Sequence, residues 1–324
     1  MKNLKITLFS TLIAVSLIAT SFPAFADELS EEEVVSSIEE AETAEEVSEV
    51  VETVEEVAEV VEEISEEDVE TLEDASTVAE SEEEAEESTV ATETLVDGIT
   101  TYTTSTSMAN FAGLGYSNNN AGPISIVKAT LVDESGNEKE VYVIGLSGTA
   151  FVENQATGIV SDILAGFNLS NPYLSATVTA IKENIPEGSN LILTGHSLGG
   201  MVAQEVASNS SIKKNYNVLN TVTFGAPLIS AGTREGTTKR LGDKYDLIPY
   251  MSATGAILPI WSIAGLNRED GGYGSFTNFW SAHMGSYCRT DVWGSYDVLG
   301  YKNGTATLTY DVSEVQYYLA PTAW

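Results

Sequence analysis

The stretch from Leu191 to Ala207, Leu-Ile-Leu-Thr-Gly-His-Ser-Leu-Gly-Gly-Met-Val-Ala-Gln-Glu-Val-Ala, constrains this chain more than any other part of it. A short apolar, β-forming run passes through Gly195-x-Ser197-x-Gly199 straight into an Ala/Val-rich helical pattern. That order predicts a tight strand-to-helix elbow with Ser197 at its tip. A serine there is held in a strained backbone conformation, and glycines at 195 and 199 remove the Cβ atoms that would clash beside it. The helix beginning after Ser197 aims its positive end and free N–H groups at the hydroxyl, which favours negative charge developing during attack. Ser197 is therefore the candidate nucleophile.

Elements of the same kind surround the elbow. The residues predict strands at Ile124–Val132, Val141–Leu146, Asn190–Thr194 and Leu219–Phe224, the first two joined as a hairpin across 134–138. Helical patterns fall between them at Gly158–Phe167, Tyr173–Asn184 and Leu198–Ser208. Alternating strands and helices predict an α/β domain with a mostly parallel sheet covered on both faces. It occupies residues 98–324, enough for one large domain.

What precedes that domain is of another kind. The whole chain has 49 acidic and 14 basic residues, and 31 of the acids lie between Asp27 and Asp97, where there is no Lys or Arg. Residues 98–324 keep 18 acids and 12 bases, an ordinary balance. No basic face exists to bind phosphate, which excludes nucleic acid as a partner. Segment 27–97 is Glu, Val, Ser, Thr and Ala over most of its length; too charged and too poor in apolar surface to offset chain entropy, it is expected to be disordered. A seam of Val47, Val50, Val54, Val57, Val61 and Ile64 has heptad spacing, but Glu flanks it throughout, and like-charge repulsion opposes a helix at neutral pH. A stalk or a pro-segment suits such a stretch. Residues 1–26, with a basic start, a short apolar middle and Ala24-Phe25-Ala26 at the end, read as a secretory signal peptide. An exported chain with one cysteine, Cys288, forms no internal disulfide and fits a Gram-positive exporter better than a eukaryotic one. Cys288 itself is expected to be a small buried filler.

A nucleophilic serine needs a base, and the chain has two histidines, His196 and His283. His196 adjoins the nucleophile, so the elbow should turn it away into packing. His283, in Trp280-Ser-Ala-His-Met-Gly-Ser-Tyr287, is expected on a loop that swings over the sheet edge. A carboxylate should lie between nucleophile and base in chain order. Glu205, Glu235, Asp243, Asp246, Glu269 and Asp270 qualify by position. Glu205 sits on the helix after the elbow, Glu235 and Asp243 in a polar, basic-rich loop, and Glu269 and Asp270 before an exposed Gly-Gly turn. Asp246, in Lys244-Tyr-Asp-Leu-Ile-Pro-Tyr250, follows a strand among apolar neighbours and is the choice for orienting an imidazole. The Leu198 N–H is one expected oxyanion donor, and the turn Ser147-Gly148-Thr149 supplies the other. Two histidines and one cysteine leave no metal site, and no metal or organic cofactor is implied.

These residues resemble the class 3 lipases of the α/β-hydrolase superfamily, which include triacylglycerol lipases, phospholipases and feruloyl esterases. Gly195-His-Ser-Leu-Gly-Gly200 is similar to the family's elbow, Thr223-Phe-Gly-Ala-Pro227 to its following strand motif, Asp246-Leu-Ile-Pro249 to its acid motif and Gly148-Thr149 to its oxyanion turn. The resemblance implies a triad of Ser197, Asp246 and His283 with Thr149 and Leu198 as oxyanion donors. Ser147 stands where the family usually has an Arg, which removes that residue's structural salt bridge.

A secreted serine carboxylester hydrolase acting on lipid esters at a lipid–water interface follows as the leading expectation. A phospholipase, a feruloyl or short-chain esterase, and a non-catalytic binding protein on a hydrolase scaffold are the alternatives. Two apolar stretches bear on substrate. Ile159, Val160, Ile163, Leu164 and Phe167 line one face of Gly158–Phe167, where a lid would lie, though a helix packed on the sheet has the same pattern. Ile257, Leu258, Ile260, Trp261 and Ile263, in the uncharged run 248–267, could wall an acyl pocket.

Overall fold

A computed structural model describes residues 93–96, 98–118, 121–148, 172–230, 232–251, 265–275 and 278–320. Signal peptide 1–26, the acidic segment up to residue 92 with its heptad seam, Thr149, the Gly158–Phe167 stretch and residues 257–263 all lie outside the described residues.

In chain order the elements are β1 (Glu93–Val96), β2 (Ile99–Tyr102), α1 (Ser105–Ser117), β3 (Ile124–Val132), β4 (Glu138–Leu146), α2 (Pro172–Asn184), β5 (Asn190–His196), α3 (Leu198–Ser208), α4 (Ser210–Asn215), β6 (Asn217–Phe224), β7 (Thr237–Asp243), β8 (Leu266–Glu269), α5 (Phe279–Gly285), α6 (Thr290–Trp293), β9 (Thr307–Asp311) and β10 (Gln316–Tyr318). Together they make an α/β fold of the α/β-hydrolase kind. One sheet runs β1-β2-β9-β3-β4-β5-β6-β7-β8, with β10 beside β3. Pairings from β4 to β8 are parallel, and those on the other side of β4 are antiparallel. The parallel part expected from the sequence is thus the half that follows β4. β1 pairs antiparallel with β2 at one edge of the sheet.

Local chemistry accounts for the pieces. Asp133 turns the β3–β4 hairpin by accepting the N–H groups of Ser135 and Asn137 on Oδ1, both at 3.0 Å. β5 is buried along almost its whole length, which explains why its apolar residues run consecutively instead of alternating. The pleat still sorts them. Leu191 and Leu193 join one core with Ile144, Leu146 and residues of α2 and α3, such as Ile181, Met201 and Val206. Ile192 joins the other with Val141, Val143, Val222, Met108 and Phe111 of α1, and Trp293 of α6. Period-2 alternation therefore supplies both faces from one strand. Each fully buried Leu, Ile or Val contributes about 1.5–3 kcal/mol.

The elements not bounded from the sequence include β1, β2, α1, α4, β7, β8, α6 and the C-terminal strands. α1 has only a weak apolar stripe, and its first turn buries Ser105, Thr106 and Ser107. β7 reads Thr-Thr-Lys-Arg-Leu-Gly-Asp, with a charged pair at its centre. Asp243, expected in a polar loop, ends this strand fully buried. The five parallel strands β4 to β8 deliver their carboxyl ends to the same rim, where ligand sites of open α/β sheets form.

Candidate active site

At the end of β5 the chain turns into α3 through Ser197, whose φ of 54° and ψ of −126° lie where few side chains are tolerated. Two features hold it there. Its N–H donates to the Phe224 carbonyl at the end of β6, 2.9 Å away, and its own carbonyl accepts from Gly200 N–H (2.9 Å) and Met201 N–H (3.2 Å) as the first link of the helix. The turn is closed so tightly that a Cβ on Gly199 would meet the Leu146 carbonyl and one on Gly195 the Gly199 carbonyl. Ser197 stands at the N-terminus of an 11-residue helix whose first N–H groups have no partner within the helix, Leu198 among them.

His283 lies on α5, a short helix instead of the expected loop, and is 1% exposed. Its Nδ1 is 2.8 Å from Oδ2 of Asp246, which is fully buried. A carboxylate can only accept, so Nδ1 carries a proton, and in the neutral imidazole the lone pair is on Nε2. Asp246 is fixed in turn. Oδ1 accepts the Ile248 N–H at 2.9 Å, and Oδ2 also accepts the Tyr287 hydroxyl at 2.5 Å. The Tyr287 oxygen accepts the Asp243 N–H at 3.0 Å, tying the acid turn to the end of β7. This buried phenol sits beside carboxylates, and burial first, then the Asp246 charge, push its pKa well up, so it remains a donor. Gly225 makes room for the pair: at φ +55° it has no side chain, and a Cβ there would stand 2.7 Å from Asp246 Oδ2 and 2.9 Å from His283 Nδ1.

Among the described residues no hydrogen bond joins Ser197 Oγ to His283. Such contacts are commonly long in unliganded hydrolases and tighten with substrate. The two residues are nonetheless neighbours through His196, whose ring centroid is 4.6 Å from that of His283. Trp280 lies on the same imidazole, at 5.5 Å.

His196 is packed and hydrogen-bonded at both ring nitrogens. Nε2 lies 3.0 Å from the His283 carbonyl, and Nδ1 lies 2.9 Å from the Tyr116 hydroxyl. Burial first, and then the neighbouring His283, push its pKa down to about 3. The Tyr116 oxygen also accepts the Gly148 N–H at 2.7 Å, on the turn that leads to Thr149. Ser147, in place of an Arg, is buried and donates to the Ala112 carbonyl at 2.7 Å, so a neutral hydrogen bond to α1 anchors this turn.

Other candidate acids stand elsewhere. Glu269 is on β8 and accepts from Tyr296 and Lys302, and Asp270 is exposed. Asp243 is buried beside Asp246 but committed to Ser286 Oγ (2.6 Å) and the Gly271 (3.0 Å) and Tyr245 (3.0 Å) N–H groups. Desolvation pushes its pKa up. Cys288, expected as a buried filler, is exposed. Among the described residues no group of three or more His, Cys, Asp or Glu could hold a metal, and no helix is long and apolar enough to cross a membrane. Tyr287, Tyr116 and Gly225 had no assigned role in the sequence. Tyr287 carried a signal in its spacing, four residues after His283, whereas nothing local marks Tyr116, 80 residues before its partner.

Residues 134–248 match the family model described as lipase (class 3). The span takes in Gly148, Thr149, Ser197, Leu198 and Asp246 and ends before His283. Searches of curated proteins and of solved structures returned no match.

Proposed function

From the match of residues 134–248 to the class 3 lipase model, we propose that this chain is a secreted enzyme that cleaves lipid esters through an acyl-enzyme on Ser197. The observation that carries the reading is the buried His283–Asp246 pair at the rim where Ser197 sits on its strained elbow.

The chemistry follows from these positions. Ser197 Oγ attacks the ester carbonyl carbon as its proton passes to His283 Nε2, and the carbonyl π pair moves onto oxygen. Asp246 keeps the imidazole oriented and offsets the charge it gains. The oxyanion is met by the Leu198 N–H, backed by the dipole of α3, and by Thr149. Collapse breaks the ester C–O bond, and the proton on His283 Nε2 goes to the departing alkoxide, which leaves as an alcohol. Water then attacks the acyl-enzyme, gives its proton to His283, and releases the acid as Ser197 recovers its own. No metal or organic cofactor is needed at any step.

An apolar acyl group is favoured by the uncharged run 248–267 after the acid and by the apolar face of Gly158–Phe167 after the oxyanion turn. Secretion is favoured by residues 1–26. The test is hydrolysis of p-nitrophenyl esters from C2 to C16 by residues 27–324, with and without emulsified lipid. Serine-dependent activity that grows with chain length and at the interface supports a lipase. Activity confined to short soluble esters would replace it with an esterase, and intact folding without activity would refute both.

A further inference from the structure

We propose that His196 and Tyr116 are positioning residues that lock the oxyanion turn and the base helix into one unit, through a hydrogen-bonded relay running Gly148 N–H to Tyr116 O–H to His196 to the His283 carbonyl. The inference rests on the function proposed above and adds two residues that this function leaves without a role.

The direction of each bond is fixed by elimination. The His283 carbonyl can only accept, so His196 Nε2 carries a proton. The Gly148 N–H can only donate, so the Tyr116 oxygen is its acceptor and the phenolic proton is directed elsewhere. It meets His196 Nδ1 at 2.9 Å, which must then be a bare lone pair. Every donor has one acceptor only if His196 is neutral with its proton on Nε2. Burial at 8% exposure favours the same form. A protonated His196 would turn Nδ1 into a second donor facing Tyr116 and place a cation 4.6 Å from the imidazole that must itself become cationic during turnover. The groups facing His196 are Tyr116 from α1, His283 from α5 and Tyr287 from the turn after it, with Asp246 behind His283.

The relay has a mechanical consequence. Gly148 leads directly to Thr149, and the backbone of His283 carries the base. A turn and a helix far apart in sequence are thus spaced by one imidazole, the residue before the nucleophile. Displacing either by a fraction of an ångström moves an oxyanion donor or Nε2 relative to the reacting carbonyl, where misplacement costs rate more than binding.

The experiment uses the full chain without its first 26 residues. Tyr116→Phe removes the donor to Nδ1 and the acceptor of Gly148. His196→Gln keeps an N–H near the Nε2 position and loses the acceptor for Tyr116. Each single variant is expected to lower kcat on p-nitrophenyl butyrate roughly 10- to 100-fold with KM within about 2-fold, and the double variant to be no slower than the worse single one. His196→Asn, which keeps an acceptor near Nδ1, should recover part of the Tyr116 arm. Nitrogen-15 spectra of histidine-labelled protein should show His196 neutral and protonated at Nε2 from pH 5 to pH 9. Losses that multiply in the double variant, singles within about 2-fold of the parent while folded, or a His196 titrating near its ordinary value would each overturn the relay. Failure of the proposed function reads differently: Ser197→Ala would keep full ester hydrolysis, while the spectra would still report the state of His196.

Discussion

On the antiparallel side of the sheet, β2, β9 and β3 bury aromatic and aliphatic surface: Tyr310 stacks on Tyr102 at 4.5 Å and meets Phe111 edge-on at 5.6 Å. On the parallel side, β5, β6 and β7 and the rim they run into bury His196, His283, Arg240, Asp243 and Asp246. Among the described residues the one other buried charged group is Asp297, whose carboxylate caps a turn ahead of β9 through the N–H groups of Leu299, Tyr301 and Ala306. One half of the molecule is stabilised by packing that needs no particular partner. The other holds ionisable groups that are tolerated in low dielectric only because each has its hydrogen bonds. Arg240 shows the cost: its guanidinium donates to the Ala226 and Pro249 carbonyls, and burial still pushes its pKa down to about 9. Chemistry should therefore be confined to the parallel half, and stability without chemistry to the antiparallel half.

The widest separation between the halves is expected at Ser197. Ser197→Ala should lower kcat on p-nitrophenyl esters by about 10⁴- to 10⁶-fold, as removal of a triad nucleophile does, while the thermal midpoint stays put. Labelling by a fluorophosphonate should vanish with it. Residual activity above that range, or labelling at another serine, would move the site away from the elbow. Asp246→Asn comes next, at about 10⁴-fold in kcat, because an amide that turns its N–H toward His283 imposes the other tautomer and takes the lone pair off Nε2. Asp243→Asn is the control. If it cost as much as Asp246→Asn, the assignment of the orienting acid would pass to its buried neighbour.

The opposite pole of the comparison is Tyr310. It is 7% exposed, and its ring partners are Tyr102 and Phe111. Tyr310→Ala should destabilise the fold by about 3–5 kcal/mol, by lost transfer energy and the cavity left behind, with kcat/KM unchanged wherever the variant is folded. Urea unfolding followed by tryptophan fluorescence measures the first, and initial rates below the unfolding transition measure the second. A selective loss of kcat would show that the two halves are not independent.

Legibility in the sequence cuts across that division and follows local apolar pattern, for physical reasons. β4, β5, β6, α2 and α3 were readable because buried parallel strands and the helices between them carry uninterrupted or evenly periodic apolar residues, and antiparallel β3 was readable from its own apolar run. The elbow was readable because its geometry tolerates few residues. β7 was not, since Lys239 and Arg240 lie in mid-strand, and Arg240 is buried only because two carbonyls from other loops meet it. Those contacts are tertiary and leave no local trace. Asp246 could be chosen among six carboxylates by its apolar neighbours, but the reason it is held, the Tyr287 hydroxyl and the space over Gly225, belongs to the ends of β6 and β7 meeting the turn after α5. His196 was readable only as a histidine turned away from the pocket. What it turns toward, a tyrosine of α1 and a carbonyl of α5, depended on a helix whose sequence gave almost no signal.

That last residue also yields the smallest and most diagnostic effect, because a histidine kept neutral in the fold makes stability depend on pH in a direction its replacement lacks. Above its ordinary value of 6.5, His196 is neutral in both folded and unfolded chains and contributes nothing to the slope. As pH falls below 6.5 the unfolded chain takes up a proton that the folded chain refuses until about 3, so stability is lost across that window and the loss levels off beneath it. The slope is at most about 1.4 kcal/mol per pH unit. Asp243 runs the other way, its burial favouring the protonated form in the folded state, but it is present in both proteins and cancels in the difference. Between pH 6.5 and pH 5 the parent should therefore lose about 2 kcal/mol more than His196→Gln, read from urea unfolding at each pH. Parallel curves would mean that the fold accepts a proton on His196 near its ordinary pKa. The parallel half would then tolerate a charge where the hydrogen-bond directions leave no room for one, and the contrast between its committed polar groups and the permissive packing of the antiparallel half would lose its clearest case.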